Sequence, residues 1–260
     1  MLNLFSLKGK VALITGATNG IGLGMIKGLA DAEIDQLILT YRLEQALEKT
    51  KEEIKQINSS VKVVGIQADF SSPDEDEVVK KIVEEAYEQA LGHSIDILIN
   101  NAGTNIRHPF ENYPQDDFDQ VLRVNLQYPV KLTKQVGSRM LEKGVKGNIV
   151  FTASLASFLG IPNASAYAIA KGGIKQLTHV LSNEWSLKGI RVNSIVPGYI
   201  ETNLTNTLDK TYRDTIIRRI PMGRWGTMDD FQGPIVFLCS DASGYVTGEM
   251  LAVDGGWLGF

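Results

Sequence analysis

Short apolar runs alternate with longer stretches of helical character along the whole chain. The apolar runs have the length and the Val, Ile and Leu content of strands that are buried on both faces. Such strands are typical of parallel sheets covered by helices, so the alternation predicts an α/β fold with one doubly wound parallel sheet. The predicted strands span Val11–Thr15, Leu37–Thr40, Val61–Ile66, Ile95–Ile99, Asn148–Thr152 and Arg191–Ile195.

Helix signals lie between these strands. The segment Ser72-Pro73-Asp74-Glu75 has the spacing of a capping box with proline at the first helical position, and predicts a helix that Ser72 caps. Apolar residues at helical spacing predict two long helices over residues 114–141 and 164–187. No linker, repeat or low-complexity stretch interrupts the alternation, so we expect a single domain over residues 1–260.

The composition narrows the classes of partner. A formal net charge of −4 does not favour nucleic acid. The single cysteine, Cys239, excludes an internal disulfide and is typical of a reducing compartment. Because no apolar run approaches the length of a membrane span and the first residues do not resemble a signal peptide, we expect a cytoplasmic protein without a membrane partner. The spacing of His93, His108 and His179 predicts no metal site.

A glycine-rich turn directly follows the first strand. The segment Thr15–Gly22 has the spacing Gly-x-x-x-Gly-x-Gly and leads into a helical pattern. Glycines at such a turn let the backbone approach a pyrophosphate, which the positive end of the following helix then attracts. The turn therefore indicates a dinucleotide site. Its candidate residues are Gly16, Thr18, Asn19, Gly20, Ile21 and Gly22.

The chain also contains a candidate proton donor. Tyr167 and Lys171 are four residues apart, so they share one face of a helix. A nearby ammonium favours the phenolate and would bring the tyrosine pKa towards neutrality, where general acid–base catalysis is most effective. Ser154 follows a predicted strand and is expected at the carboxyl edge of the sheet. The alternative for Tyr167 and Lys171 is an ordinary amphipathic helix with a surface lysine.

Taken together, these motifs resemble the classical short-chain dehydrogenase/reductase family. Asn100-Asn101-Ala102-Gly103, Asn125 and Pro197-Gly198 complete the set, in order and at matching spacings over essentially the whole chain. The resemblance implies a Rossmann-like domain, a nicotinamide dinucleotide cofactor and a homotetramer or homodimer. The helices over 114–141 and 164–187 would lie at the dimer interface.

The resemblance also implies a role for each catalytic residue. Tyr167 would be the acid/base, Lys171 would lower its pKa and hold the nicotinamide ribose, and Ser154 would polarise the substrate oxygen. Asn125 would support a water that connects Lys171 to solvent. Because Pro129 has no N–H, it cannot donate the helical hydrogen bond to the Asn125 carbonyl. We hypothesise that this carbonyl accepts the water; a simple helix kink is the alternative.

The end of the second strand bears on the choice of cofactor. NAD enzymes usually place an acidic residue there, whereas an arginine suits a 2′-phosphate. Tyr41 occupies the acidic position and Arg42 follows, which favours NADP; NAD stays the alternative because the glycine turn carries no Lys or Arg. By resemblance, Asp69 contacts the adenine, and Asn101 and Gly103 line the adenosine. The remaining candidate cofactor residues are Ala102, Tyr167, Lys171, Pro197, Gly198, Ile200 and Thr202.

The substrate side follows from two segments. The alternation breaks over about residues 199–226, which predicts a helical substrate lid. Asn105 and Arg107 follow the Asn-Asn-Ala-Gly loop, near the expected substrate entrance, so with Ser154 and Tyr167 they are the candidate substrate residues. A guanidinium can bind a carboxylate through two hydrogen bonds, which makes Arg107 the candidate anchor; an ion pair with Glu111 is the alternative.

Ile106-Arg107, Gly223–Gly226 and Val253–Trp257 resemble the sugar-acid branch of the family, which includes gluconate 5-dehydrogenase and 2-deoxy-gluconate 3-dehydrogenase types. We therefore expect an NADP(H)-dependent oxidoreductase that interconverts a ketone and a secondary alcohol on a sugar acid or polyol. One alternative is a 3-oxoacyl-thioester or general ketone reductase. Another is a dinucleotide-binding sensor without catalysis.

Overall fold

The strands lie side by side in one parallel sheet. A computed structural model describes residues 3–201 and 210–259. Within these residues seven strands pair in the order β3-β2-β1-β4-β5-β6-β7, and every pairing is parallel. The predicted doubly wound α/β fold is confirmed. The strands are β1 (Val11–Ile14), β2 (Gln36–Tyr41), β3 (Lys62–Gln67), β4 (Ile97–Asn100), β5 (Asn148–Thr152), β6 (Arg191–Pro197) and β7 (Met250–Val253).

Helices cover both faces of the sheet, and an apolar core fills each of the two layers. No helix in the described part of the chain is long and apolar enough to cross a membrane. The helices are α1 (Gly20–Asp31), α2 (Glu44–Ile57), α3 (Glu75–Gln89), α4 (Gln115–Leu122), α5 (Tyr128–Glu142), α6 (Ser165–Trp185), α7 (Lys210–Ile217) and α8 (Gln232–Cys239).

The strand order reverses beside β1. This strand pairs with β2 on one side and with β4 on the other, so the chain winds outwards in both directions from the middle of the sheet. The loops that leave the carboxyl ends of β1 and β4 therefore lead to helices on opposite faces of the sheet. In open α/β sheets this switch point is where ligands bind.

One predicted helix start is wrong, and one strand was not predicted. Helix α3 begins at Glu75 with Asp74 as its N-cap, and the Ser72 hydroxyl does not cap it. That hydroxyl accepts a hydrogen bond from the Asp74 N–H (3.2 Å), which closes a turn before the helix begins. The sequence analysis also missed β7, because its Met-Leu-Ala-Val run is short and lies at the sheet edge, where it is only partly buried.

The helix predicted over 114–141 is divided by a π-helical segment, Arg123–Gln127, between α4 and α5. The Tyr128 N–H bonds to the Arg123 carbonyl, five residues earlier, and Pro129 follows in the first turn of α5. Proline therefore gives a π segment around Asn125 rather than a simple kink. The helix predicted over 164–187 is α6, and Gly189, in the left-handed region at φ 85°, ends the 3-10 turn that follows it.

Helix α1 packs unusually close to α8 and to the 3-10 turn Met228–Phe231 that precedes it. A Cβ atom on Gly24 would lie 2.0 Å from the Met228 carbonyl oxygen, and one on Gly28 would lie 2.7 Å from the Gln232 Cα. Both distances are far below a van der Waals contact. Gly24 and Gly28 thus let α1 pack directly against the C-terminal part of the chain.

We expect Gly24→Ala to lower the free energy of unfolding by about 1–3 kcal/mol, because the added methyl must push the backbone at Met228 away. Denaturant unfolding measures this. Gly233→Ala in α8 is the matched control: nothing lies within 4 Å of its Cβ position, so the better helix former should raise stability by about 0.5–1 kcal/mol. Equal stability of the two variants would contradict the close packing of α1.

Candidate active site

A compact hydrogen-bond network joins the loops after β1 and β4. The Thr15 hydroxyl accepts from the backbone N–H groups of Asn101 and Ala102, both at 3.0 Å. In return, the Asn101 side-chain amide donates to the carbonyls of Thr15 (3.2 Å) and Gly16 (2.8 Å). Gly16 has φ +64°, and a Cβ there would lie 2.8 Å from the Ala102 Cα. Only glycine fits this position, which explains the first glycine of the motif.

The end of this turn suits a pyrophosphate. Helix α1 begins at Gly20, and its N-cap, Asn19, makes no side-chain capping bond, so the Asn19 side chain leaves the first backbone N–H groups of the helix unsatisfied. Asn19 is exposed, and Thr18, Gly20 and Ile21 are partly exposed beside it. A glycine turn with no side chain in the way, followed by a helix N-terminus, fits the phosphates of a dinucleotide.

The end of β2 carries no carboxylate. Tyr41 ends the strand, and its hydrogen bond to the Glu44 side chain raises the pKa of the phenol. Arg42 follows and is exposed. Asp69, beyond β3, accepts from the Ser71 N–H (2.9 Å) and hydroxyl (2.8 Å); these bonds lower the pKa of its carboxyl group, with a smaller contribution from Arg42. At this edge of the sheet, the Arg42 guanidinium therefore interacts with the hydrogen-bonded carboxylate of Asp69.

The catalytic candidates meet across β5 and α6. Ser154 follows β5, where its hydroxyl accepts from the Ala156 N–H (3.2 Å) and also bonds to Tyr167. Burial raises the pKa of the Tyr167 phenol, while the bond to Ser154 and the charge of Arg107 act in the opposite direction. Ser154 and Arg107 are thus the two groups that favour the phenolate form of Tyr167.

Lys171 has a different environment from the one the resemblance implies. It is only 4 % exposed, and burial lowers the pKa of its amine to about 8. Its Nζ donates to the Thr152 carbonyl (2.7 Å) and lies 5.5 Å from the centre of the Tyr167 ring. In this arrangement burial raises the pKa of Tyr167 against the opposing effects of Ser154 and Arg107. The lowering of that pKa by Lys171 stays a prediction.

Asn125 is fully buried in the π segment. Its side-chain amide donates to the carbonyls of Thr104 (2.7 Å) and Val121 (2.9 Å), while its Oδ1 has no partner among the described residues. A Cβ on Gly103 would lie 2.9 Å from this Oδ1 and 4.0 Å from the Lys171 Nζ. Asn125, Gly103 and Lys171 therefore converge on one point. Acceptance of a water by the Asn125 carbonyl stays a prediction.

The loop after β6 completes this edge of the sheet. Pro197 ends the strand, and the Gly198 N–H donates to the Val253 carbonyl (3.1 Å). Ile200 is buried and forms an isolated bridge with Gly226. Thr202 lies outside the described residues.

On the substrate side, Arg107 and Asn105 are both exposed in the loop after β4. No ion pair between Arg107 and Glu111 is found in the described part of the chain, and the effect of Arg107 on Tyr167 places its charge near the phenol. The alternative role of Arg107, as a partner of Glu111, is wrong.

The arginines of the 199–226 segment have structural contacts. Arg213 pairs with Glu201 (3.1 Å), and the two guanidinium Nη atoms of Arg224 donate to Asp230 (2.8 and 2.7 Å). The Arg219 guanidinium lies 4.4 Å from the centre of the Trp257 ring. The sequence analysis missed the aromatic cluster that these contacts support: Tyr199, Trp225 and Trp257. One tyrosine and two tryptophans that lie far apart in the sequence have no periodicity that could have revealed it.

Comparisons with known proteins bear on this geometry. A protein-family model for short-chain dehydrogenases, described as "Enoyl-(Acyl carrier protein) reductase", matches residues 16–258. The chain is 44 % identical to a 2-dehydro-3-deoxy-D-gluconate 5-dehydrogenase of Pseudoalteromonas atlantica over 100 % of both chains. It is 42 % identical to one of Bacillus subtilis, over 98 % of this chain and 96 % of the relative.

The chain belongs to the short-chain dehydrogenase/reductase family. The resemblance drawn from the motifs is thereby confirmed. Among solved structures of short-chain dehydrogenases, it is similar to a gluconate 5-dehydrogenase from Burkholderia cenocepacia in complex with NADP and tartrate. The TM-score is 0.90 at 33 % identity, covering 100 % of this chain and 99 % of that one.

The pKa of Lys171 makes the stability of this short-chain dehydrogenase depend on pH. The pKa is about 8 in the folded protein and roughly 10.4 in an unfolded chain, so the unfolded state binds more protons between these values. The free energy of unfolding should therefore rise with pH in this window, on the order of 2–3 kcal/mol more for wild type than for Lys171→Met.

Denaturant unfolding between pH 7 and pH 10 tests this. The control is Lys175→Met, one turn further along α6, where the Nζ lies over the Phe158 ring rather than in the site. The same pH dependence in wild type and Lys171→Met would contradict the assignment.

Proposed function

We propose that this chain is an NADP(H)-dependent oxidoreductase that interconverts a ketone and a secondary alcohol on a sugar acid. The observation that carries the proposal is the environment of Tyr167: the Lys171 Nζ lies 5.5 Å from the centre of its ring, and Ser154 and Arg107 both favour its phenolate. A proton donor, a polarising hydroxyl and a cation for a carboxylate are the groups that reduction of a keto acid requires.

The residues of the chain have distinct roles in this reaction. When bound, the dinucleotide supplies or accepts the hydride. In the reductive direction, Tyr167 gives its proton to the substrate oxygen, and Ser154 donates a hydrogen bond that stabilises the charge developing there. Burial keeps the phenol protonated and thus ready to donate. Lys171, with a pKa lowered to about 8, is a suitable neighbour for exchanging a proton near neutral pH.

The cofactor would lie at the edge of the sheet where the loops after β1 and β4 meet. Its pyrophosphate would lie on the Gly16–Gly22 turn, its adenosine beside Asp69 and the 101–103 loop, and its nicotinamide ribose near Tyr167 and Lys171. Arg42 would contact the 2′-phosphate, because Tyr41 occupies the position where NAD enzymes usually carry an acidic residue. The Burkholderia relative was crystallised with NADP, which supports this choice.

The substrate class rests on Arg107 and on the relatives. The relatives from Pseudoalteromonas atlantica and Bacillus subtilis are named for action on 2-dehydro-3-deoxy-D-gluconate, and the Burkholderia enzyme holds tartrate, a hydroxy acid. Arg107 is exposed, and its charge acts on the pKa of the Tyr167 phenol. It would hold the substrate carboxylate, with Asn105 as a neighbouring polar contact. A thioester substrate, in contrast, offers no anion for Arg107 near the reacting carbonyl.

We further propose that residues 1–260 form one domain, with a substrate lid over about residues 199–226, in a homotetramer or homodimer of the cytoplasm. Exposed apolar side chains on α5 and α6 support self-association: Val130 is 37 %, Ile169 52 % and Val180 42 % exposed. The single cysteine, which is buried, is consistent with a reducing compartment.

We expect Tyr167→Phe to lower kcat about 100-fold or more, because general acid–base catalysis accelerates a reaction by about 10²–10⁴-fold. NADPH binding should be retained. The assay follows nicotinamide absorbance with 5-keto-gluconate, L-sorbose and a 3-oxoacyl thioester, and a fluorescence titration follows binding. Tyr245→Phe is the control, since that tyrosine is fully exposed.

Different failures have different meanings. Full activity of Tyr167→Phe would remove it as the acid/base. A preference for L-sorbose would remove Arg107 as the anchor, and turnover of the thioester alone would favour the acyl-thioester reductase alternative. Cofactor binding without turnover of any carbonyl would favour the sensor.

We expect Arg42→Ala to raise the KM for NADPH about 10-fold and to leave the KM for NADH nearly unchanged, because a charge-assisted hydrogen bond to the 2′-phosphate is worth about 1.5–3 kcal/mol. Lys55→Ala is the control, an exposed cation in the last turn of α2. Equal effects on both cofactors, or a wild type that works mainly with NADH, would refute the role of Arg42.

A further inference from the structure

The loop that carries Arg107 is held in place on both sides of this residue. Before it, the Ile106 carbonyl accepts a hydrogen bond from the Tyr113 hydroxyl. After it, the His108 N–H donates to the Asn163 carbonyl (3.1 Å), in the segment that leads into α6. The peptide units that flank Arg107 are therefore both engaged, although the arginine side chain itself is exposed.

The side chain of His108 adds a second connection. Its Nε2 lies 2.8 Å from the Asp117 Oδ2, so the loop is attached to α4. The His108 ring meets the edge of the Tyr113 ring at a centroid distance of 5.0 Å, and Tyr113 in turn meets Phe118 at 5.2 Å. His108, Tyr113 and Asp117 thus form one contiguous set, which we call the Arg107 bracket.

The bracket has little to do with the hydrophobic core. The side chains of His108 and Asp117 are 33 % and 35 % exposed, and Tyr113 is half-buried. Neither apolar core cluster of the described residues contains any of the three. A set of polar contacts that adds little to the core, yet orders the backbone on both sides of an exposed arginine, is best explained by the need to position that arginine.

We propose that His108, Tyr113 and Asp117 are positioning residues that hold the backbone on both sides of Arg107 and thereby set the preference for an anionic substrate. This inference rests on the proposed function, because it needs Arg107 as the carboxylate anchor. A long, exposed side chain loses rotamer freedom when it binds a ligand, which costs free energy. A backbone that is already fixed lowers this cost, because fewer conformations are lost on binding. The bracket acts on recognition and not on the proton transfer.

The test measures the ratio of kcat/KM for 5-keto-gluconate to that for L-sorbose. We expect Tyr113→Phe, which keeps the ring contacts but removes the hydroxyl, and Asp117→Ala each to lower this ratio about 3- to 10-fold, mainly through the KM of the acid. Asp117→Asn, which keeps an acceptor for His108, should restore most of it. Asp116→Ala, at an exposed neighbour on α4, is the matched control.

The decisive comparison repeats both variants in an Arg107→Ala background. Residues that act through Arg107 should have no further effect there, because coupled residues are not additive. The same loss in that background, or an equal loss on both substrates, would overturn the inference and leave a purely structural role.

Hydrogen exchange of the backbone amides of residues 104–109 gives a readout that needs no turnover. We expect faster exchange at His108 in Tyr113→Phe and Asp117→Ala than in Asp116→Ala, and unchanged exchange would overturn the inference. If exchange increases but wild type does not favour the acid, the anchor role of Arg107 and the inference fail together, whereas a preserved acid preference in both variants overturns the inference alone.

Discussion

The site depends on the way the loops after β1 and β4 are joined where the strand order reverses. Thr15 supplies one hydroxyl to two backbone N–H groups of the 101–102 loop, and the Asn101 amide returns two bonds to the glycine turn. These bonds satisfy backbone groups that the end of the sheet leaves without strand partners. They also fix the distance between the turn that suits a pyrophosphate and the loop that leads to Arg107. A change in this network would move both halves of the site at once.

For the candidate catalytic residues Tyr167 and Lys171, burial shifts the two pKa values more than their mutual spacing does. Tyr167 and Lys171 lie one helical turn apart, yet the pKa of the phenol is raised and that of the amine is lowered, since removal from water opposes the charged form of each. The Thr152 carbonyl holds the Lys171 amine, and Ser154 and Arg107 are the groups that favour the phenolate. Each residue of the pair is thereby brought towards its neutral form.

Irregular backbone places the remaining parts of the site. The π segment Arg123–Gln127 brings Asn125 under the 103–104 loop, where its amide bonds to the Thr104 carbonyl. Thr104 begins the stretch that continues to Arg107, so the buried asparagine and the exposed arginine belong to one continuous structure. Glycines in α1 allow the close approach of the Met228–Phe231 turn and of α8.

Much of this protein could be predicted from its sequence. The apolar runs determine six of the strands and the parallel winding, because strands buried on both faces must be apolar throughout. The glycine turn and the order of the motifs determine the family, and Pro129 reveals the break in the helix around Asn125. Only the tertiary structure decided where Lys171 donates, which groups surround Tyr167, and that Ser72 closes a turn before α3 instead of capping it. It alone also joined His108 to Asp117 and Tyr199 to two distant tryptophans. Periodicity and spacing report local backbone geometry, whereas these contacts depend on burial and on long-range packing, which no local pattern encodes.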